Sequence, residues 1–227
     1  GRKRLAQSWY RQLVHTGTPG HWWPLDDVAG ATSAADKGYG AALPGIPDGG
    51  VTFGATGIIT YDDGATVASF DGTNDVIALP AGVLAGGSPF SLEFWFTTST
   101  TATAQPLVRY DDSDGVLANT RLIEIRLNAT TGVLRADLNG GSTSGTVTGS
   151  TNLADGVRHH VVVSVSDGDT MTVHVDGPSI GSASATGILY GSDVGGEIGA
   201  KVGNSGATST WLTGSMAHVA FYTSDMT

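Results

Sequence analysis

The sequence predicts an all-β fold, an antiparallel β-sandwich preceded by a short N-terminal α-helix. Glycine occupies 34 and proline 8 of the 227 positions, which exceeds average usage and predicts many turns. Only 14% of the residues are charged and glutamate occurs at three positions, so a helical bundle or a coiled coil is excluded. Short runs in which apolar and polar residues alternate are typical of half-buried strands.

The helix is predicted over residues 4–15, where one apolar face recurs at helical spacing. That face consists of Leu5, Trp9 and Leu13. Gly17 and the glycine and proline that follow end the helix. The apolar face needs a partner surface, which is either the sheet of the same domain or another part of a larger assembly.

Charge divides the chain into two parts. Four basic residues lie in the first eleven positions, whereas seven basic residues and 21 acidic residues follow from Asp26 onward. A surface this acidic repels a phosphate backbone, so we expect no nucleic-acid partner. We expect residues 1–17 to form a helical docking segment and residues 18–227 to form the sandwich domain.

Cysteine and long apolar runs are both absent from the sequence, and their absence limits the kinds of protein that it can encode. Cysteine is absent, which excludes disulfides, thiolate catalysis and zinc–thiolate sites. No apolar run approaches 18 residues, so we expect no membrane insertion. The sequence begins with Gly1 rather than methionine, so we expect a processed or excised piece of a longer protein.

The strands follow from the alternating runs. In residues 91–96, SLEFWF, the apolar Leu92, Phe94 and Phe96 share one face. In residues 121–128 the isoleucines face inward, so Glu124 and Arg126 face outward. Further strands are predicted over residues 133–138, 159–165, 171–176 and 216–222.

Turn residues join these strands into hairpins. Thr-Thr-Gly at 130–132 joins one pair, and Asp-Gly at 167–168 joins another. Residues 140–151, which are rich in glycine, serine and threonine, are predicted as a loop or an edge strand. In the last strand, Ala217, Val219 and Phe221 are predicted to face the core.

Several runs, in order along the chain, resemble the motifs of one family. They are Phe70-Asp71-Gly72 with Asp75, the strand at 91–96, Asp155-Gly156 with the run at 159–163, Val173-His174-Val175-Asp176-Gly177, and residues 214–222. This series resembles laminin G-like domains. The resemblance implies a concanavalin A-like lectin/glucanase jelly roll, in which two antiparallel sheets pack face to face.

The lead-in has a second resemblance. Trp9-Tyr10 on the helix and His21-Trp22-Trp23-Pro24-Leu25-Asp26 after it are similar to the start of such domains in bacteriophage minor tail proteins. That resemblance implies a virion location, on a phage tail or surface, and otherwise an extracellular one. It also implies other tail proteins as partners through the helix.

Sugar binding predicts exposed aromatic rings beside polar groups, because pyranose C–H faces stack on such rings. The candidate residues are Trp211, Tyr190, Tyr110, Asp111, Asp112 and Asp114. Two interpretations of the acidic run at 111–114 remain open: a solvated hairpin tip, or carboxylates that bind sugar hydroxyls at a rim.

Calcium is the one cofactor that the sequence suggests. The resemblance implies a calcium site of loop carboxylates near the chain ends, and its candidate ligands are Asp26, Asp27, Asp71 and Asp75. The sequence departs from the family here, because the last strand carries Met216-Ala217-His218 where an aspartate is usual.

Catalysis has little support in the sequence. Glycoside hydrolysis needs two carboxyl groups at a set separation, and the glucanases of this fold carry a Glu-x-Asp-x-Glu run that this chain lacks. No Gly-x-Ser-x-Gly elbow is present either. We therefore expect a non-catalytic module that binds host-surface glycan; a purely structural virion protein and a polysaccharide-active enzyme are the alternatives.

Overall fold

The computed structural model describes residues 9–59, 66–84, 87–112, 121–139, 142–188, 193–201 and 209–226. Within these ranges lie one helix, α1 (Trp9–Thr16), and seventeen strands. The strands are β1 (His21–Trp23), β2 (Ile46–Asp48), β3 (Thr52–Thr56), β4 (Thr66–Asp71), β5 (Val76–Leu79), β6 (Phe90–Thr97), β7 (Gln105–Asp112), β8 (Arg121–Leu127), β9 (Val133–Asn139), β10 (Ser144–Asn152), β11 (His159–Val165), β12 (Thr170–Val175), β13 (Ser179–Ser184), β14 (Asp193–Ile198), β15 (Ala200–Lys201), β16 (Thr210–Trp211) and β17 (Thr213–Tyr222). No helix in the described ranges is long and apolar enough to cross a membrane.

The strands form two large antiparallel sheets, which confirms the predicted all-β sandwich. The eight-stranded sheet has the order β13-β12-β11-β6-β17-β4-β3, and β1 pairs with the end of β17. The seven-stranded sheet has the order β10-β9-β8-β7-β14-β5-β2. β15 and β16 form a separate two-stranded ladder. Each sheet has one inner face, which packs on the other sheet, and one outer face.

The core lies between the sheets and is built by the predicted alternation. Leu92, Phe94 and Phe96 of β6 are fully buried, and they meet Ile123 and Ile125 of β8 in one apolar cluster. Pairing of β8 with β9 and of β11 with β12 confirms both predicted hairpins. Burial of this much apolar surface, at about 25 cal/mol per Å², is the main stabilisation of the fold.

The predicted orientation of the last strand is wrong at one residue. The ladder between β17 and β6 shifts register between Ala217 and Ala220, and His218 adopts a φ of 52°. This bulge places Met216 in the main core and leaves Ala217 outside it, although Val219 and Phe221 face the core as predicted. Sequence alternation cannot show a bulge, because the inserted residue changes the face without changing the composition.

Helix α1 packs on the outer face of the eight-stranded sheet. Val14 is buried there against Trp22, Ala220 and Tyr222, with Tyr10 packed at the same place. Leu13 of the predicted apolar stripe takes no part in this packing, because 55% of it is exposed. The rest of the stripe, which is Leu5 and the side chain of Trp9, lies outside the described residues.

Candidate functional site

The outer face of the seven-stranded sheet carries a group of charged side chains. In β8 and β9, Ile125 and Ala136 face the core, so their neighbours along the strands face outward. We call this group the charged face; it consists of Arg109, Asp111, Glu124, Arg126, Arg135, Asp137 and Glu197.

Strand register sets these charges beside one another. Four residues form a row of consecutive cross-strand partners: Glu197 opposite Arg109, Arg109 opposite Glu124, and Glu124 opposite Asp137. In the neighbouring row, Arg126 lies directly opposite Arg135. Opposed arginines repel, so this arrangement depends on the carboxylates beside them.

Ion pairs connect the two rows. Nη1 of Arg126 lies 3.3 Å from Oε1 of Glu124 and 3.0 Å from Oδ2 of Asp137, so one guanidinium is shared by two carboxylates. Arg135 donates to both oxygens of Asp137 at 2.8 Å. Arg109 donates from Nε to Asp111 at 2.7 Å. These contacts fix the polar atoms in position before any ligand arrives.

The Asp137 carboxylate is bound by three side chains, those of Arg126, Arg135 and Thr146. Burial alone would raise its pKa, but hydrogen bonds from Arg135 and from the Thr146 hydroxyl outweigh burial and hold the pKa below its ordinary value. The same contact with Asp137 raises the pKa of Arg135. Both groups are therefore charged at neutral pH.

The ladder of β15 and β16 borders the charged face. Both strands lie against β7, and Lys201 reaches across so that its Nζ is 3.8 Å from Oε1 of Glu124. Trp211 is the cross-strand partner of Ala200, and its side chain is partly exposed. The border of the face thus supplies one more cation, and Trp211 lies in the same two-stranded ladder.

The structure brings two of the predicted ligand-binding residues to this region. Trp211 lies in the bordering ladder, and Asp111 lies at the end of β7, where Arg109 binds it. Asp111 therefore belongs to a strand, and its carboxylate is part of an ion pair rather than of a solvated hairpin tip.

One predicted ligand-binding residue is corrected and three cannot be placed. Tyr110 is fully buried; its hydroxyl donates to the Pro80 carbonyl and accepts from the Val83 amide, both at 3.0 Å. Its ring therefore cannot stack on a sugar, because the alternation of β7 sends it into the core. Tyr190, Asp114 and the side chain of Asp112 lie outside the described residues.

The four predicted calcium ligands do not form one cluster in the part of the chain that the structure describes. Asp26 binds Arg11 at 2.6 Å and Lys37 at 3.0 Å, and Asp27 accepts from the Ala35 amide. These hydrogen-bond donors already bind the two carboxylates, so Asp26 and Asp27 are not arranged as the predicted calcium ligands.

The other pair of predicted calcium ligands has a different setting. Asp75 is buried and accepts from the Asp71 amide through Oδ2, while its Oδ1 has no hydrogen-bond partner. Burial is the main influence on the pKa of Asp75 and raises it above its ordinary value. The two carboxylates supply only part of the roughly six to eight oxygen ligands that a calcium ion takes, so calcium binding stays a prediction.

Apart from Asp111, sequence reasoning did not identify the residues of the charged face as a binding site. It placed Glu124 and Arg126 on an outer face but could not pair β8 with β7 and β9. The available signal was clustering, since four of the seven basic residues that follow Asp26 lie between positions 109 and 135.

The opposite outer face holds a second polar group, which helix α1 covers. We call it the sealed cluster: Tyr10, Glu93, Trp95, His160 and Tyr222. The Glu93 carboxylate accepts from the Tyr222 hydroxyl, from the Tyr10 hydroxyl at 3.3 Å and bonds His160 Nε2 at 2.9 Å. The Trp95 ring stacks on His160 with centroids 4.6 Å apart. Burial and then the Glu93 charge raise the pKa of both tyrosines, so their hydroxyls stay protonated.

One groove lies elsewhere, between the edge strands β10 and β13. Its volume is about 470 Å³, and its floor includes Leu134, Leu153 and Ile180. Asp176 is the charged residue of its lining, and that carboxylate is already bonded to His159 at 2.8 Å. The groove therefore offers fewer fixed polar groups to a ligand than the charged face does.

Two packed antiparallel sheets with a polar outer face define the class of the protein, a lectin-like β-sandwich. The chain belongs to the concanavalin A-like lectin/glucanases superfamily, whose Laminin_G_3 family model matches residues 71–227. No curated protein matches the sequence significantly.

Solved structures share the fold at low sequence identity. A Trypanosoma rangeli sialidase in complex with sialic acid aligns with a TM-score of 0.65 and 16% identity, over 94% of this chain and 32% of that one. The chain thus spans about a third of the length of that sialidase. The CBM40 of a Ruminococcus gnavus sialidase, bound to alpha2,3 sialyllactose, aligns with a TM-score of 0.52 and 11% identity, over 61% and 78% of the two chains. A pentraxin from Limulus polyphemus aligns with a TM-score of 0.50 and 15% identity, over 70% and 76%.

Proposed function

We propose that the chain is a non-catalytic module of a phage tail or virion surface protein, and that its charged face binds host-surface glycan. The observation that carries this proposal is the charged face itself. Its guanidinium and carboxylate groups hold one another in place, and the partly exposed Trp211 lies in the ladder of β15 and β16 that packs against β7. Sugar hydroxyls donate to carboxylates and accept from guanidinium groups, and pyranose rings stack on indole. Groups fixed in advance lose little conformational freedom when a ligand binds.

The solved neighbours support a sugar ligand. The CBM40 domain was solved with sialyllactose and the sialidase with sialic acid, and both share this sandwich. Identities of 11% and 16% extend to the fold alone, so the ligand of this chain rests on its own charged face.

We expect the carboxylates of the charged face to bind a glycan rather than to hydrolyse it. A glycosidase needs one carboxylic acid that keeps its proton, usually in an apolar pocket. Here Glu124 and Asp137 both bond the same guanidinium of Arg126, and Asp137 has a lowered pKa. Asp137 is therefore ionised and cannot supply the proton.

The virion location is supported by the lead-in of the chain. The resemblance of residues 9–26 to phage tail proteins suggests it, and the exposure of Leu13 leaves an apolar side chain of α1 for a neighbouring protein. A comparison of tail particles assembled with the wild-type chain and with Leu13→Asp, an exposed position whose change leaves the packing of Val14 and Tyr10 intact, tests this role. If the variant is no longer incorporated but still binds glycan, the proposal is supported. If the variant is not incorporated and the wild-type chain binds no glycan either, the structural alternative is supported.

The glycan proposal predicts a specific effect of Trp211→Ala. In gels that contain bacterial envelope polysaccharides, retardation of the wild-type protein is expected with at least one polymer. The variant should bind that polymer about tenfold more weakly, which corresponds to about 1.4 kcal/mol. Tyr39→Ala is the matched control, because Tyr39 is also exposed but contacts His15 of α1. Retardation by none of the polymers, or equal affinity of wild type and Trp211→Ala, contradicts the proposal.

The absence of catalysis is tested on the same polysaccharides. Each is incubated with the wild-type protein, and new reducing ends are measured over time. We expect none above the rate without protein, and sustained release would show that the enzyme alternative is correct.

A further inference from the structure

We infer that the glycan bound by the charged face is acidic, and that Arg126, Arg135 and Lys201 bind its carboxylate or phosphate group. This inference rests on the proposed function and names the ligand class of the same site.

The charged groups of this face lie at different depths. Among the basic side chains, 38% of Arg135, 26% of Lys201 and 19% of Arg126 is exposed. The carboxylates that pair with them are far less accessible, at 1% for Glu124 and 8% for Asp137. A ligand that approaches this end of the face therefore meets guanidinium and ammonium groups first, with the carboxylates beneath them.

The geometry of Arg126 and Arg135 suits an anionic ligand. Arg126 and Arg135 are direct cross-strand partners, so their guanidinium groups are neighbours on the same face. Arg135 uses Nε and Nη2 to bind Asp137, and Arg126 uses Nη1 for both of its carboxylates. Each guanidinium carries five N–H donors in a planar fork that matches a carboxylate or a phosphate. An anion placed between the two arginines also offsets their mutual repulsion.

The basic residues that follow Asp26 are concentrated on this face, whereas the rest of the chain is acidic. The formal net charge is −10, yet four of the seven basic residues that follow Asp26 belong to the charged face and its border. These are Arg109, Arg126, Arg135 and Lys201. Because the whole protein repels polyanions, retention by an acidic polymer requires a local site and does not follow from net charge.

The experiment is affinity electrophoresis of the full chain in gels that contain polysialic acid, a glycerol-phosphate teichoic acid or neutral dextran. The first two polymers separate carboxylate from phosphate as the recognised group. We expect at least tenfold tighter binding to one acidic polymer than to dextran. Arg135→Gln should weaken that binding about tenfold. Arg135→Lys keeps the charge but loses the planar fork of donors, so its affinity should lie between those of the wild type and Arg135→Gln. Arg158→Gln is the matched control, because Arg158 is an exposed arginine that directly precedes β11 of the other sheet.

The outcomes separate this inference from the proposed function. Equal binding to dextran and to the acidic polymers, unchanged in Arg135→Gln, overturns the inference and leaves glycan binding intact. Binding to an acidic polymer that Arg135→Gln does not weaken overturns the site. Retention by neither acidic polymer, while another envelope polysaccharide is retained, overturns the inference alone. Retention by no polymer in this experiment or among the envelope polysaccharides overturns both. Thermal unfolding checks that the variants are folded, and Lys201→Gln replaces Arg135→Gln if that variant is not.

Discussion

The two outer faces of the sandwich use buried carboxylates in opposite ways. On the eight-stranded sheet, Glu93 is bound by two tyrosine hydroxyls and a histidine, and helix α1 covers the group. On the seven-stranded sheet, Glu124 and Asp137 are bound by guanidinium groups that remain partly exposed. The partners of each carboxylate therefore decide whether its face is closed by packing or available to a ligand.

The aromatic residues of the two faces differ in the same way. Trp95 stacks on His160 and meets the edge of the Tyr10 ring, so the rings of the sealed cluster bind one another. Trp211 instead lies in a short ladder at the border of the charged face and keeps part of its surface exposed. A count of aromatic residues favours the sealed cluster as a sugar site, whereas exposure favours the charged face.

The largest stability effect is expected on the sealed face, for Glu93→Gln. The glutamine carboxamide has one acceptor oxygen where the carboxylate has two. Its NH₂ group is a donor, and it would face the donors that bind the second carboxylate oxygen of Glu93 in the wild type. Breaking this buried group should lower the free energy of unfolding by about 3 kcal/mol, as measured by urea denaturation. Glu197→Gln on the charged face is the matched control, with an expected loss below about 1 kcal/mol, because its ion pair with Arg109 is 3.6 Å long. Equal losses in the two variants would contradict the contrast between the faces.

Arg126→Gln is expected to have the next largest effect. It removes the guanidinium that Glu124 and Asp137 share, although Asp137 keeps Arg135 and Thr146. A loss of about 2 kcal/mol in the free energy of unfolding is expected, because buried carboxylates lose a charged partner. Arg135→Gln, at a more exposed position, should cost less than Arg126→Gln in the same denaturation series. A larger loss for Arg135→Gln than for Arg126→Gln would contradict the description of Glu124 and Asp137 as buried beneath the guanidinium groups.

The smallest effect is a dependence on pH that belongs to the sealed cluster. Burial alone would raise the pKa of Glu93, but hydrogen bonds from His160, Tyr222 and Tyr10 outweigh burial and hold it below the ordinary value of 4.5. The stability that ionised Glu93 contributes is therefore complete above pH 4.5 and is lost as the pH falls through its lower pKa in the folded protein. The difference in unfolding free energy between wild type and Glu93→Gln should be constant from pH 6 to 5 and shrink below about 4.5. A difference that grows as the pH falls would be evidence against this sign.

Much of the fold was predictable from the sequence, because alternation and turn chemistry act locally. The inward faces of β6 and β8 and both hairpins follow from residues close together in the chain. The bulge at His218 and the docking of α1 through Val14 do not, because each depends on contacts with distant strands.

The candidate site was predictable only in part. Trp211 was found from its polar surroundings, whereas Tyr110 was misassigned because its place in β7 was not recognised. The pairing of Arg126 with Arg135 follows from strand register, which a single sequence does not show.

The most direct test of the account is an NMR titration of the labelled protein with oligosaccharides of the best retained polysaccharide. Signals are followed at the Nε–H groups of Arg126 and Arg135 and at the indole N–H groups of Trp211 and Trp95. The account predicts shifts at both arginines and at Trp211, with Trp95 unchanged under helix α1. Shifts at Trp95 with none at the two arginines would place the ligand on the other face and contradict the account.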